Sequence, residues 1–326
     1  MRFTPAASLL LAACRAAPIP EAQRFPAGTP YRAQEIVLER TRIRYIDVGA
    51  GAAANAPTVV LIHGFGASMY SWRRNLTPVA AAGFRVVAFD NRGFGFSDRP
   101  PTGYTNAEYA RLVVALLDSL RIPEAVLVGH SMGGAIAAEV ALTHPERVQG
   151  LALLDPAGFG VWQPRLYRVA RWPIVGALAT GLRGRGFTAR LLRSTYADPT
   201  KVTEGDVDQY YAPVAQPDYG RALRGALREF RFDALQGRLA AVQAPTLVLW
   251  GEQDRLIAPA LGARLAAELP RGALVVLPGA GHAIQEEVPD AVNRLLITFL
   301  TEGLPRVPAD LASAEEGVGV ACRSSS

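Results

Sequence analysis

In 326 residues the chain holds one lysine, two cysteines, three methionines and four histidines. Each scarcity excludes something. Cys14 and Cys322 stand near opposite ends, with no histidine close to either in sequence. No disulfide framework and no cysteine–histidine metal site is expected from them. The net charge of +5 is carried almost wholly by arginine, since Lys201 is the only lysine. No basic run is interleaved with aromatics, so a nucleic-acid partner has no support. No apolar run is long enough to span a bilayer as a helix, and no internal repeat divides the chain. What remains is half apolar and only 19% charged, the composition of a globular protein with a large core.

The first residues carry a separate signal. Met1-Arg2 supplies one positive charge, Ala6 to Ala13 is a short apolar run, and "LAAC" ends it at Cys14. This is the pattern of a bacterial secretory signal. Its last four residues resemble a lipobox, whose cysteine becomes the lipidated first residue. Residues 1–14 are therefore expected to be a lipoprotein signal peptide. The protein is then exported, as a periplasmic or membrane-anchored lipoprotein tethered through Cys14; a cytoplasmic location is the alternative. Residues 15–33, rich in Pro and Ala, read as a linker.

From residue 34 a rhythm sets in. "QEIVLERTRIRYIDVG" reads as two strands with a tight turn near Arg40-Thr41. Six short apolar runs follow: "APTVVLIHG", "FRVVAFD", "EAVLVGHS", "GLALLDP", "APTLVLWGEQD" and "ALVVLPGAGH". Rich in Val and Leu and without alternation, they suit strands buried on both faces of a parallel sheet. Helix-favouring stretches lie between them: Met69 to Ala82, Ala107 to Leu120, Met132 to Thr143 and Pro259 to Leu269. The alternation predicts an α/β fold with a doubly wound, mostly parallel sheet. Residues 158–240 break the rhythm with arginine-rich, aromatic, amphipathic sequence. They are expected to form a helical cap inserted after strand 6, over the sheet edge where ligands of such sheets bind. The core is then 34–157 plus 241–304, and 305–326 reads as a flexible tail.

The chemistry centres on "LVGHSMGG". Gly129-His130-Ser131-Met132-Gly133 joins a strand to a helix with no loop between them. That is the strained corner of a nucleophile elbow, with Ser131 at its apex and a helix N-terminus aimed at it. A serine hydroxyl is a weak nucleophile and needs a base, itself oriented by an acid. Of the four histidines, His130 adjoins the serine, His144 reads as a helix cap, and His63 ends a strand as a structural residue. His282, in the loop after the last long strand, opens on the same edge as Ser131 and is the expected base. Asp254, in the loop after the preceding strand, is the favoured acid; Asp155, which also ends a strand, is its rival. The oxyanion would be held by the backbone N–H groups of Met132, after the nucleophile, and Phe65, after His63-Gly64. Phe65, Met132 and Trp162 are the expected walls of the substrate pocket.

Together "LIHGFGASMYSW", "VVAFDNRGFGFSDRP", "LVGHSMGG", "LVLWGEQDRLI" and "LPGAGHAIQEEVPD" resemble the α/β-hydrolase fold family, from about residue 34 to 304. The order Ser, Asp, His along the chain is that family's order. The second motif resembles the branch of haloalkane dehalogenases, epoxide hydrolases, haloperoxidases and meta-cleavage C–C hydrolases. Dehalogenases and epoxide hydrolases of that branch use an aspartate nucleophile, and Ser131 argues against both. The resemblance implies hydrolysis without metal or organic cofactor, acting on a small molecule. The expected substrates are carboxylic esters of small to medium apolar acyl groups. The alternatives are a meta-cleavage-type C–C bond hydrolase, whose family members commonly carry asparagine where His130 stands, and a non-catalytic ligand-binding receptor.

Overall fold

The computed structural model describes residues 17–49, 57–158 and 184–304 and the backbone of a short strand at 320–321. The expected signal peptide with Cys14, Trp162 and almost all of the tail lie outside the described residues. A nine-stranded sheet forms the centre, in the order β1-β2-β4-β3-β5-β6-β7-β8-β9. The strands are β1 (Gln34–Leu38), β2 (Thr41–Val48), β3 (Thr58–Ile62), β4 (Arg85–Phe89), β5 (Ala125–His130), β6 (Val148–Leu154), β7 (Thr246–Gly251), β8 (Gly272–Leu277) and β9 (Val320–Ala321). From β4 across to β8 all neighbours run parallel; β1, β2 and β9 attach antiparallel at the two edges. The expected doubly wound, mostly parallel sheet is what the chain forms.

Alternation along each strand sends side chains to two separate cores, because successive residues of a strand face opposite sides. Val60, Ile62, Leu127, Leu151, Leu153, Val248 and Trp250 lie in one core, with helices α2 (Asn106–Ser119), α3 (Met132–Thr143) and α7 (Ala260–Glu268). Val59, Leu61, Val126, Val128, Leu154, Leu247 and Leu249 lie in the other, with α1 (Leu76–Ala81) and α9 (Pro289–Glu302). Both faces are covered, which is why these strands read as unbroken apolar runs. Between β6 and β7 the described residues add three helices, α4 (Arg185–Ser194), α5 (Glu204–Val214) and α6 (Tyr219–Glu229). Thr203 caps α5 reciprocally with Asp206, and Thr105 caps α2 with Glu108; each box satisfies N–H groups that a helix start leaves bare.

Two segments differ from expectation. The helix expected over Met69 to Ala82 is a 3-10 turn at Met69–Trp72 followed by α1. Pro78 lacks the N–H that a continuous helix needs there, and Asn75 is turned aside to donate to Asn293 at 2.8 Å. In the described part of the expected linker, from residue 17, most residues are exposed or half-buried, while Phe25 and Pro26 are tied down. Phe25 is buried, its N–H donates to Gln209 of α5 at 2.9 Å, and its carbonyl accepts from Arg44.

Candidate active site

The sequence Val126-Leu127-Val128 commits β5 to the middle of the sheet, between β3 and β6. Ser131 follows it at φ 52° and ψ −117°, and α3 begins at the next residue. A non-glycine residue at positive φ carries strain of about 1–3 kcal/mol. Here the surroundings fix it: Ser131 N–H donates to Leu154 O at 2.9 Å, and its carbonyl accepts from Gly134 and Ala157. The flanking glycines allow the backbones to meet. A Cβ at 129 would lie 2.3 Å from Gly133 O, and one at 133 only 2.0 Å from Ile62 O. The glycine spacing read in the sequence is thus a requirement for close approach.

The loop after β3 arrives beside the serine. A Cβ on Gly64 would stand 3.1 Å from Ser131 Cβ, so the next residue, Phe65, begins at the serine's side. Met132 is the first residue of α3, so its N–H has no acceptor within the helix. Its side chain is wholly buried in the core. The Phe65 ring meets Phe94 at 5.3 Å and Phe232, beyond α6, at 6.0 Å. Phe232 in turn touches Phe230 at 4.9 Å. The sequence reading missed Phe94 and Phe232, which lie in different loops and share no local pattern.

His282 and Asp254 come from the loops after β8 and β7. His282 Nδ1 donates to Asp254 Oδ2 at 2.8 Å, both groups buried. The other carboxylate oxygen accepts the N–H groups of Leu256 and Ile257 at 2.7 and 2.9 Å, so the turn "QDRLI" aims the carboxylate. Glu252, in the same loop as Asp254, is exposed and accepts from Gly279 instead.

Behind this pair sit His130 and Asp155. His130 Nε2 donates to the backbone oxygen of His282 at 2.8 Å, and the two rings are 4.9 Å apart. Burial, then the neighbouring His282, pushes the His130 pKa down to about 3, so this ring is neutral at ordinary pH. Asp155, the rival acid, is fully buried at φ 42° and accepts from Gly251 N–H at 2.8 Å. Its other oxygen has no hydrogen-bond partner among the described residues. Burial, reinforced by Asp254, holds its carboxyl well above the usual range. Asp155, His130 and His282 offer ligand atoms within 4.8 Å of one another. Asp254 occupies His282 Nδ1 and the His282 carbonyl occupies His130 Nε2, while His130 Nδ1 and Asp155 Oδ2 have no hydrogen-bond partner among the described residues. His63, a third buried imidazole of this region, donates from Nδ1 to Gly64 O and accepts Asn91 N–H at Nε2.

Comparison with known proteins gives this arrangement its context. Residues 57–289 match the family model described as the alpha/beta hydrolase fold. A 2-hydroxy-6-oxo-6-phenylhexa-2,4-dienoate hydrolase of Burkholderia cepacia is 32% identical over 285 residues, covering 82% of this chain and 93% of that protein. An uncharacterized hydrolase, YugF, of Bacillus subtilis (strain 168) is 32% identical over 256 residues, covering 74% and 89%. Among solved structures, a meta-cleavage product hydrolase of Pseudomonas fluorescens IP01 superposes with a TM-score of 0.71 at 27% identity, covering 82% of this chain and 97% of that one. A bacterial membrane phospholipase A superposes with a TM-score of 0.70 at 26% identity, covering 84% and 86%. The chain belongs to the α/β-hydrolase fold family.

Proposed function

We propose that this protein is a serine hydrolase that cleaves a carbon–carbon bond next to a ketone, with Ser131 as nucleophile, His282 as base and Asp254 as orienting acid. One observation carries the nucleophilic mechanism: a serine held at φ 52° at a strand-to-helix corner, with a buried histidine–aspartate pair delivered to the same sheet edge. The choice of bond rests on the relatives. Hydrolases named for 2-hydroxy-6-oxo dienoate substrates are 32–34% identical over most of the chain.

In this mechanism Ser131 Oγ attacks the ketone carbon as His282 Nε2 takes its proton. The oxyanion forms against the Phe65 and Met132 N–H groups, each such donor contributing roughly 3 kcal/mol in the transition state. Carbon leaves only if its electron pair is delocalised, which the keto tautomer of a vinylogous diketone provides. His282 returns the proton to that carbon. Water, deprotonated by His282, then releases the acid from Ser131. Atoms balance as ketone plus water giving a carboxylic acid and the protonated carbon fragment. Asp254 holds the imidazole tautomer and stabilises its cation throughout. The insertion of α4 to α6 acts as the cap, and Phe65, Phe94 and Phe232 supply an apolar wall for a planar acyl group.

Ester hydrolysis, the expectation from sequence, is kept as the second reading by His130, which stands where C–C hydrolases commonly carry asparagine. The two readings separate in one experiment. The purified chain is given 2-hydroxy-6-oxo-6-phenylhexa-2,4-dienoate, followed by loss of its absorbance, and p-nitrophenyl esters from acetate to laurate, with Ser131→Ala as control. A kcat/KM for the dienoate at least tenfold above the best ester supports C–C cleavage; the reverse supports an esterase. Turnover that persists in Ser131→Ala overturns both.

A further inference from the structure

The loop that carries His282 is held from outside the sheet. Gly281 N–H donates to Glu287 Oε2 at 2.7 Å, and that same oxygen accepts Ala197 N–H at 3.0 Å. Glu287 Oε1 accepts Asp198 N–H at 2.8 Å. Ala197 and Asp198 belong to the connection between α4 and α5, in the helical insertion. The insertion also reaches His282 directly: Thr195 O accepts the N–H of His282 at 2.7 Å and of Ala283 at 3.2 Å. There is no space to spare. A Cβ on Gly281 would lie 2.5 Å from Ala197 N and 2.6 Å from Thr195 O.

The Glu287 side chain is thus a buried bracket. One carboxylate satisfies three N–H groups, two from the insertion and one from the residue before His282. Hydrogen bonds to a charged acceptor are shorter and about twice as strong as neutral ones, and the one to Gly281 is buried while the two to the insertion are part-buried. Short helix α8 (Ile284–Glu287) sets Glu287 one turn beyond His282, with its own N–H on Ala283 O. A second tie runs parallel. Arg73, after β3, bonds both Asp206 of α5 and Glu286 of α8, and Tyr210 of α5 donates to Glu286 at 2.5 Å. Arg73 and Tyr210 fasten the insertion to the body without touching the His282 backbone.

We propose that Glu287 is a positioning residue for the base: through Gly281 it fixes the His282 backbone to the α4–α5 connection, so the insertion sets the height of the imidazole over Ser131. This rests on the serine-hydrolase reading above. A misplacement of about 1 Å in a reacting group can cost about 100-fold in rate. Loss of the bracket is therefore a loss in rate, with binding little changed.

The test uses fluorophosphonate labelling of Ser131, which needs no knowledge of the natural substrate. In Glu287→Gln an amide NH2 replaces one acceptor oxygen and opposes an N–H. Gly281→Ala drives the same contact apart from the other side. Each variant is expected to lower the maximal labelling rate constant by about 10- to 100-fold, with the half-saturating probe concentration within about twofold of wild type. Tyr210→Phe, which loosens the parallel tie only, is expected to label at the wild-type rate although it is less stable to urea. Folded Glu287→Gln and Gly281→Ala that label at the wild-type rate overturn the proposal. So does loss of fold in both, since the contact is then structural alone. If wild type itself is not labelled, and Ser131→Ala is indistinguishable from it, the serine-hydrolase reading fails instead.

Discussion

Acid should unfold this protein partly through one ring. His130 titrates near 6.5 in the unfolded chain and is pushed down to about 3 in the folded one, by burial first and by His282 next. Between those values the unfolded state binds a proton that the folded state refuses. Stability from His130 is therefore fully present above the unfolded value and falls as pH drops toward the folded one. One pKa unit is worth about 1.4 kcal/mol, so from about pH 7 to pH 5 the loss is about 2 kcal/mol, by pH 3 it is about 4 kcal/mol, and the full loss of about 5 kcal/mol is reached only below that. His63, also lowered by burial, adds a loss of the same sign. Asp155, raised by burial, works in the opposite direction, because the folded state keeps its proton more tightly. Both are unchanged in His130→Asn, so a double difference isolates His130. Urea denaturation of wild type and His130→Asn at about pH 7 and pH 5 reads it. The variant is expected to lose about 2 kcal/mol less than wild type on acidification. Equal losses in the two proteins would refute a neutral, solvent-excluded His130.

Other perturbations follow from the same geometry. Ser131→Gly relieves the positive φ and is expected to raise stability by about 1 kcal/mol while abolishing fluorophosphonate labelling; a destabilised variant in thermal melts would contradict the strain. Arg73→Leu leaves Asp206 and Glu286 buried without their cation, and a cost of about 3–5 kcal/mol is expected in urea unfolding; a change below about 1 kcal/mol would show that the ion cluster contributes little. Cys14→Ser is expected to abolish incorporation of labelled palmitate in a bacterial host and to move the protein from the membrane fraction. Identical labelling and fractionation of wild type and variant would end the lipoprotein proposal.

Much of this was legible because it is written locally. Strands buried on both faces show as runs such as Val59-Val60-Leu61-Ile62, and all four are fully buried. The corner at Ser131 needs glycine at 129 for contact with residue 133 of the same corner and at 133 for contact with Ile62 of β3, and both glycines fall in one short stretch, so the pattern is visible there. Histidine scarcity made His282 easy to find, and the loop-after-strand rule paired it with Asp254. What was hidden depends on chain segments far apart in sequence. Asp155 and Asp254 both follow strands, and only the hydrogen bond to His282 Nδ1 tells the two carboxylates apart. Phe232 reaches Phe65 across 167 positions of chain by a contact no periodicity encodes. Glu287 looks like one acid of an exposed "QEEVPD" run, yet it is buried on three backbone donors. The break before α1 was there to be read in Pro78, and apolar spacing alone outweighed it.

The corner at Ser131 divides its own sequence into exchangeable and fixed positions. At 129 and 133 any side chain would enter the backbone of a neighbouring segment, so these sites admit no variation without moving β3 or α3. The nearest atoms in both contacts are backbone atoms of other residues and not the Ser131 side chain. A substitution at Ser131 would change the proposed nucleophile and leave those glycine contacts in place. The same frame can therefore be handed from one reaction to another by a single codon, while the glycines that make it possible stay constant.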